Sequence, residues 1–199
     1  MTMKKLSVLL PVIAGALSLG GCISFGAKPP PSLLTLQSAQ SVPAGETRSS
    51  ANAATITIAV PAVSQALATT RVPVQSTGTS LAYVKDAQWV ELPARLFARM
   101  TADTVAAKTG RVVLSTAQSF SDPGARLSGE LRNFGLDGST NEAVVTFDAA
   151  LIRTTGEVVE KRRFEARVPV TAIDAANAAR GINQAANQVA GEVADWVGK

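Results

Sequence analysis

Apolar and polar residues alternate along several stretches of the chain, which is the pattern of half-buried β-strands. Residues 55–60 alternate β-branched residues and stop at Pro61. The runs 71–74 and 80–84 flank Gly78 and predict a hairpin. Three later stretches also alternate, at 127–132, 145–151 and 158–170. A sheet with one apolar face and one wet face is therefore expected.

Two segments show helical spacing instead. In the first, Leu92, Leu96 and Met100 lie four residues apart. We expect a helix of roughly 20 residues from about Trp89, with Asp86 as its cap and Gly110 as its stop. Pro93 is compatible with this helix if it falls in the first turn.

The second helical segment runs from Ala175 to about Val197, with Asp174 as a natural N-cap. Its apolar stripe keeps 4-3-4-3 spacing through Ile182, Ala186, Val189, Val193 and Trp196. Trp89 and Trp196 are both expected on the apolar sides of the two helices.

Each of the two helices has one apolar side, and the sheet has one apolar face. Each of these surfaces must be buried against another element. The predicted fold is therefore an α+β two-layer sandwich, in which two amphipathic helices pack on one face of a mostly antiparallel sheet. Residues 54–199 are expected to form a single domain, with residues 22–53 as a flexible linker. Within that linker, residues 33–36 are a candidate edge strand. Within the domain, residues 71–74 are a candidate sheet edge that accepts a strand from a partner.

The N-terminus adds a targeting signal. Lys4 and Lys5 precede an uncharged run from Leu6 to Leu19, which as a helix measures roughly 21 Å, against a hydrocarbon core of about 30 Å. This run is too short to span a bilayer, and it predicts a secretory signal over residues 1–21.

The boundary Leu19-Gly20-Gly21-Cys22 resembles the bacterial lipobox. That resemblance implies a diacylglycerol on the Cys22 sulfur and a second acyl chain, such as palmitate, on the new amino group. The alternative is a free or buried thiol. Ile23 follows the cysteine rather than Asp, which favours anchoring in the outer membrane and leaves inner-membrane anchoring open. The prolines at 29–31 predict a stiff spacer.

The composition of the chain excludes several kinds of metal site and catalytic site. The chain has 199 residues, no histidine and one cysteine, so His/Cys metal sites and Ser-His-Asp or Cys-His catalysis are excluded. Removing Lys4 and Lys5 with the signal lowers the net charge from +4 to +2. No basic cluster is interleaved with aromatic residues, so nucleic-acid binding is not expected. We therefore expect a non-enzymatic protein without cofactors other than the acyl chains.

The ordered set of segments resembles the ABC-type transport auxiliary lipoprotein family, which includes the lipoprotein of the Pqi membrane-integrity system. The resemblance rests on the lipobox, "LAYVKDAQWVELPARLFARM", "LSGELRNFGLD", "AVVTFDAALIRTTGEVVEKRRFEARVPV" and the closing "VADWV". One departure is the stretch 61–71, which lacks the aromatic residue expected there.

The resemblance implies an accessory subunit of an MCE-type lipid transport system. Its implied partners are an MCE-domain substrate-binding protein with its ABC permease and ATPase, and membrane lipid. A ring of several copies around the transporter is an open alternative, although the sequence carries no self-association signature. The competing functions are an outer-membrane assembly lipoprotein that partners a β-barrel and an anchored lipid-active enzyme.

Five residues are candidate contacts with a partner or lipid. Trp89 and Phe134 are aromatic residues for which core packing is the competing interpretation. Lys161, Arg163 and Arg167 lie at the polar positions of one predicted strand. They suit lipid headgroups or an acidic partner, while a solvated face protected by charge against edge pairing explains them equally well.

Overall fold

A computed structural model describes residues 32–120, 124–153 and 158–199. The predicted signal peptide, Cys22, the prolines at 29–31 and the predicted turn at 154–156 lie outside the described residues. The described chain forms eight strands and two α-helices. They are β1 (Thr55–Ile58), β2 (Ala62–Val63), β3 (Arg71–Thr77), β4 (Ser80–Gln88), α1 (Pro93–Thr109), β5 (Val112–Leu114), β6 (Ala125–Asp137), β7 (Glu142–Ile152), β8 (Val159–Pro169) and α2 (Ala175–Val197).

The eight described strands form one mixed sheet. β6, β7 and β8 pair antiparallel along their whole lengths. The other side of β6 is shared by β1, β2 and β3, each of which pairs with it in parallel over two or three residues. β5 joins β1 in parallel, and β4 joins β3 as an antiparallel hairpin. The α+β class is confirmed. The sheet is mixed and not purely antiparallel, because three short strands pair in parallel with the long strand β6.

The predicted hairpin forms, but residues 71–74 are not an edge. β3 lies between β4 and β6, with Val74 opposite Leu136. Pro73 has no N–H to donate, and the described pairing with β6 begins only at the next residue. Gly135 permits this approach, since a Cβ at Gly135 would lie 2.4 Å from the Pro73 carbonyl oxygen. The expectation of a free edge here was wrong.

Helix α1 begins later than its periodicity predicts. Pro93 occupies the first turn and Leu92 the N-cap position. Asp86 is not the cap, because it lies within β4 with a left-handed φ of 56°. The end is as predicted: Gly110 adopts φ 71°, and its N–H donates to the Ala106 carbonyl at 3.1 Å.

Helix α2 begins as predicted, since the Asn177 N–H donates to the Asp174 carboxylate at 2.8 Å. Its stripe is buried and packs on β7 and β8. The two helices run in the same direction. Lys108 near the end of α1 pairs with Asp195 near the end of α2 at 2.6 Å. Phe97 near the start of α1 packs on Phe134, and Gly181 near the start of α2 packs on Ala143, at neighbouring positions of the β6–β7 pair. Both helix N-termini therefore lie at one end of the domain.

Residues 34–48, here called the strap, lie against the two helices. Leu34 forms a parallel bridge with Trp89 instead of a full strand. The Gln37 and Ala39 N–H groups donate to the side chains of Asn183 and Asn187 of α2 at 2.8 and 2.7 Å. Further along, Arg48 donates to the Ala106 carbonyl of α1. The strap therefore continues the domain upstream of residue 54.

Candidate functional site

The sheet carries an open face on the side of β6–β8 away from the helices. The registers of the β6–β7 and β7–β8 pairs align the side chains of this face in rows that run across the three strands. Glu130, Asp148 and Arg163 form one row, and Asn133, Thr146 and Glu165 form another. The core face of the same strands carries Leu127, Phe147 and Phe164, which are at most 2 % exposed. The alternation of side chains along these strands thus separates a polar surface from the core.

Asp148 is the centre of the first charged cluster on this face. Arg163 donates to both its carboxylate oxygens, at 2.5 and 2.7 Å, and Arg132 donates to Oδ2 at 2.5 Å. The hydrogen bonds from Arg163, together with those from Arg132, hold the pKa of Asp148 well below its usual range. One carboxylate therefore fixes two guanidinium groups from the two flanking strands.

Arg167 organises a second charged cluster. It donates to Glu165 at 2.9 Å and to Glu142 at 3.2 Å, and it lies 3.6 Å from Asp137. Hydrogen bonds from Arg167 and from Thr146 lower the pKa of Glu165. This cluster is net negative, because three carboxylates surround one guanidinium.

The three basic candidates are consequently not equivalent. Arg163 and Arg167 are held by carboxylates of the same face. Lys161 has no ion pair within the described part of the chain. Its neighbour Arg162 lies over the Phe164 ring, 4.8 Å from the ring centroid. Arg162 therefore lies on the Phe164 side of β8, and of the three basic candidates only Lys161 remains available to an acidic partner on the open face.

A groove of about 380 Å³ lies beside the second cluster. Its walls come from the segment before β3, from the β3–β4 hairpin and from β6. Arg132, Asp137 and Arg167 line it together with Leu67 and Leu81. A hollow of about 560 Å³ on the same face contains Arg132, Asp148, Lys161 and Arg163. The face thus offers concave, mixed polar and apolar surface.

Trp89 and Phe134 lie in the core, each 1 % exposed. Their ring centroids are 5.5 Å apart, and Phe97 of α1 stacks edge-on against Phe134 at 6.2 Å. Trp89 lies at the end of β4 and not on α1, so its helical placement was wrong. Its indole Nε1 finds no acceptor within the described residues. These contacts favour the core-packing interpretation for both side chains.

Sequence reasoning missed the residues that organise this face. The sequence alternation marks Asp148 and Arg132 as residues of the polar face. Only the register of the paired strands shows that their side chains meet. It also missed Arg153, which pairs with Glu160 at 2.6 Å and donates to the Trp196 and Val197 carbonyls at the end of α2.

Among the described residues, no cluster of three or more His, Cys, Asp or Glu residues is placed to hold a metal ion. No helix in the described part of the chain is long and apolar enough to cross a membrane.

The fold and its open face define a small α+β domain with one charged sheet face. A family model of the ABC-type transport auxiliary lipoprotein component matches residues 34–194. The chain belongs to this family, which is a class of membrane-anchored transport components and not a class of enzymes. The match begins at the first residue of the strap, which agrees with the contacts of that segment.

Solved structures share the fold. A DUF330-family protein from Xanthomonas campestris is 19 % identical, with a TM-score of 0.65 over 83 % of this chain and 92 % of that one. A second, uncharacterised protein is 12 % identical, with a TM-score of 0.63 over 72 % of this chain and 92 % of that one. No curated protein matches the chain significantly.

Proposed function

We propose that this chain is the non-enzymatic, lipid-anchored docking subunit of an MCE-associated ABC lipid transport system. Residues 1–21 direct export, and Cys22 carries the diacylglycerol and the N-acyl chain that anchor the domain in the outer membrane, facing the periplasm. The domain then holds the MCE-domain substrate-binding protein, which works with its permease and ATPase. In this role it contributes to envelope integrity.

The open face of β6–β8 is the observation that carries the proposal. Its charged clusters are already hydrogen-bonded in the free domain, so little side-chain entropy is lost when a partner docks on them. The face combines one cation without an ion pair, Lys161, with the net-negative cluster around Arg167. A surface with both signs in fixed positions sets the register of a protein partner.

The groove beside this face supports a protein partner over an acyl chain. Asp137 and Arg167 line it beside Leu81, which is 41 % exposed at its wall. An acyl chain would remove water from these charged groups without offering them hydrogen bonds in return. A peptide segment supplies both hydrogen-bonding groups and apolar side chains to such a lining.

Purification of the tagged lipoprotein from membranes, followed by mass spectrometry, tests the proposal. We expect an MCE-domain protein, a permease and an ATPase to be recovered together. Recovery of a β-barrel alone would contradict the transport role and favour an assembly lipoprotein. Recovery of no partner would contradict docking as the function of this domain.

A matched pair of charge reversals locates the binding surface. Lys161→Glu changes an unpaired cation on the open face, whereas Arg180→Glu changes an exposed cation on α2. Both alter the net charge equally, so long-range effects are matched. We expect Lys161→Glu to reduce recovery of the MCE-domain protein and Arg180→Glu to leave it unchanged. Equal losses would move the binding surface away from β8.

A further inference from the structure

Three apolar side chains lie exposed where the described chain begins. Leu33 is 52 % exposed, Val90 53 % and Leu92 38 %. They are held together because the Leu34 N–H donates to the Gln88 carbonyl at 2.7 Å and the Val90 N–H to the Leu34 carbonyl at 2.9 Å. Leu34 itself packs against the core. Leu33, Val90 and Leu92 are here called the tether patch.

Basic side chains border the tether patch along α1. Arg95 and Arg99 are both exposed and lie four residues apart, on one side of the helix. Arg99 pairs with Glu91, between Val90 and Leu92. Among the described residues, Glu91 pairs with Arg99 and not with Arg95, which forms no ion pair. Apolar side chains beside an unpaired cation match the chemistry of an anionic lipid surface.

We propose that the tether patch rests in the headgroup region of the bilayer that holds the Cys22 acyl chains. This inference rests on the proposed lipid anchor. Cys22 and Leu33 are eleven positions apart, so the chain between them reaches at most about 40 Å. Within that reach the patch meets the bilayer at the high effective concentration of an intramolecular contact, so a weak affinity suffices.

The size of the patch favours lipid over a protein partner. Three half-exposed side chains supply far less than the roughly 800 Å² per partner that a standard protein interface buries. A membrane contact has no such threshold, since each added apolar side chain strengthens an anchor that is already in place. The patch also lies at the end of the domain that carries both helix N-termini, where the tether begins.

Site-specific fluorescence on the full acylated lipoprotein tests the contact. Val90→Cys and Val60→Cys receive a thiol-reactive nitrobenzoxadiazole probe in vesicles of phosphatidylethanolamine and phosphatidylglycerol with a nitroxide-labelled lipid. Val60 is the matched control, because it is also a valine and is 56 % exposed in the β1–β2 connection. We expect the lipid nitroxide to quench the probe at position 90 several-fold more than the probe at position 60.

The unsubstituted lipoprotein distinguishes a failure of the proposed Cys22 anchor from a failure of the proposed membrane contact of the tether patch. Its one thiol, Cys22, cannot react with the probe when its sulfur is acylated. Labelling of the unsubstituted protein would overturn both the anchor and the patch. An unlabelled parent with equal quenching at 60 and 90 would overturn the patch alone. So would a probe at position 90 that is shielded from water but not quenched by lipid, which indicates a protein contact.

A second variant tests whether Arg95 contributes to the contact with anionic lipid headgroups. Adding Arg95→Glu to the Val90→Cys protein should reduce the quenching in anionic vesicles. In vesicles of phosphatidylcholine alone the two proteins should be quenched equally, since the zwitterionic surface has no net charge. A decrease of the same size in both lipids would overturn the assignment of Arg95 to lipid headgroups.

Discussion

Gly181 and Gly191 lie in the same helix but have different surroundings. A Cβ at Gly181 would lie 2.7 Å from Val170 Cγ1 and 2.8 Å from Ala143 Cβ, whereas a Cβ at Gly191 would meet nothing within 4 Å. Replacing a helical glycine by alanine stabilises a helix by about 0.8–1 kcal/mol. We therefore expect Gly191→Ala to stabilise the protein and Gly181→Ala to destabilise it.

The magnitude follows from which atoms can move. Val170 is β-branched and stiff at χ1, and the Ala143 Cβ is fixed to the backbone of β7, so the contact is relieved only if α2 moves away from the sheet. Overpacking of this kind costs about 1–3 kcal/mol. After the helix-propensity gain, Gly181→Ala should be less stable than Gly191→Ala by roughly the overpacking term.

Thermal unfolding of the two variants measures the difference. One kcal/mol shifts Tm by about 2–4 °C in a chain of this length. Gly191→Ala should therefore melt about 2–4 °C above the parent protein, and Gly181→Ala below Gly191→Ala by at least a similar interval. If Gly181→Ala were as stabilising as Gly191→Ala, the close packing of α2 on β7 at Ala143 would be refuted.

Three further predictions concern a cap, a carboxylate and the strap. Asp174→Ala removes the N-cap of α2 and should cost about 1 kcal/mol in urea unfolding. Because the pKa of Asp148 is lowered, its contribution to stability is present above about pH 4 and is lost as pH falls towards its folded pKa. The stability difference between the parent and Asp148→Asn in urea unfolding should therefore shrink at acidic pH, and a constant difference would contradict this. Asn187→Ala should speed hydrogen exchange at the Ala39 N–H, which donates to the Asn187 side chain, whereas the exposed control Gln188→Ala should not.

The elements with strong local signals could be predicted from the sequence. Asp174 caps α2 and Gly110 ends α1 because each satisfies backbone groups within its own turn. The long strands could also be predicted, since more and less buried positions alternate over residues 147–152 of β7 and 163–169 of β8. The class of fold follows from these elements, because their apolar surfaces must meet.

The remaining features depend on contacts between distant residues. Trp89 has the spacing of a helical residue relative to Pro93 and Leu96, but its bridge to Leu34 places it at the end of β4. The parallel strands β1, β2 and β3 are too short to carry a signal of their orientation. The strap left one usable signal in the sequence, because Asn183 and Asn187 are asparagines four residues apart in an alanine-rich helix.

The proposed membrane attachment and the proposed partner surface lie on different sides of the domain. The strap bonds to α2 through Asn183 and Asn187, and Ser38 lies 3.2 Å from Thr104 of α1. Any pull from an anchor upstream of Leu34 is therefore borne first by the helices and the end of β4. The charged face of β6–β8 points away from these helices and makes no described contact with the strap. An anchored domain of this design keeps that face available to a partner whichever way the tether pulls, because the tether and the partner do not compete for the same surface.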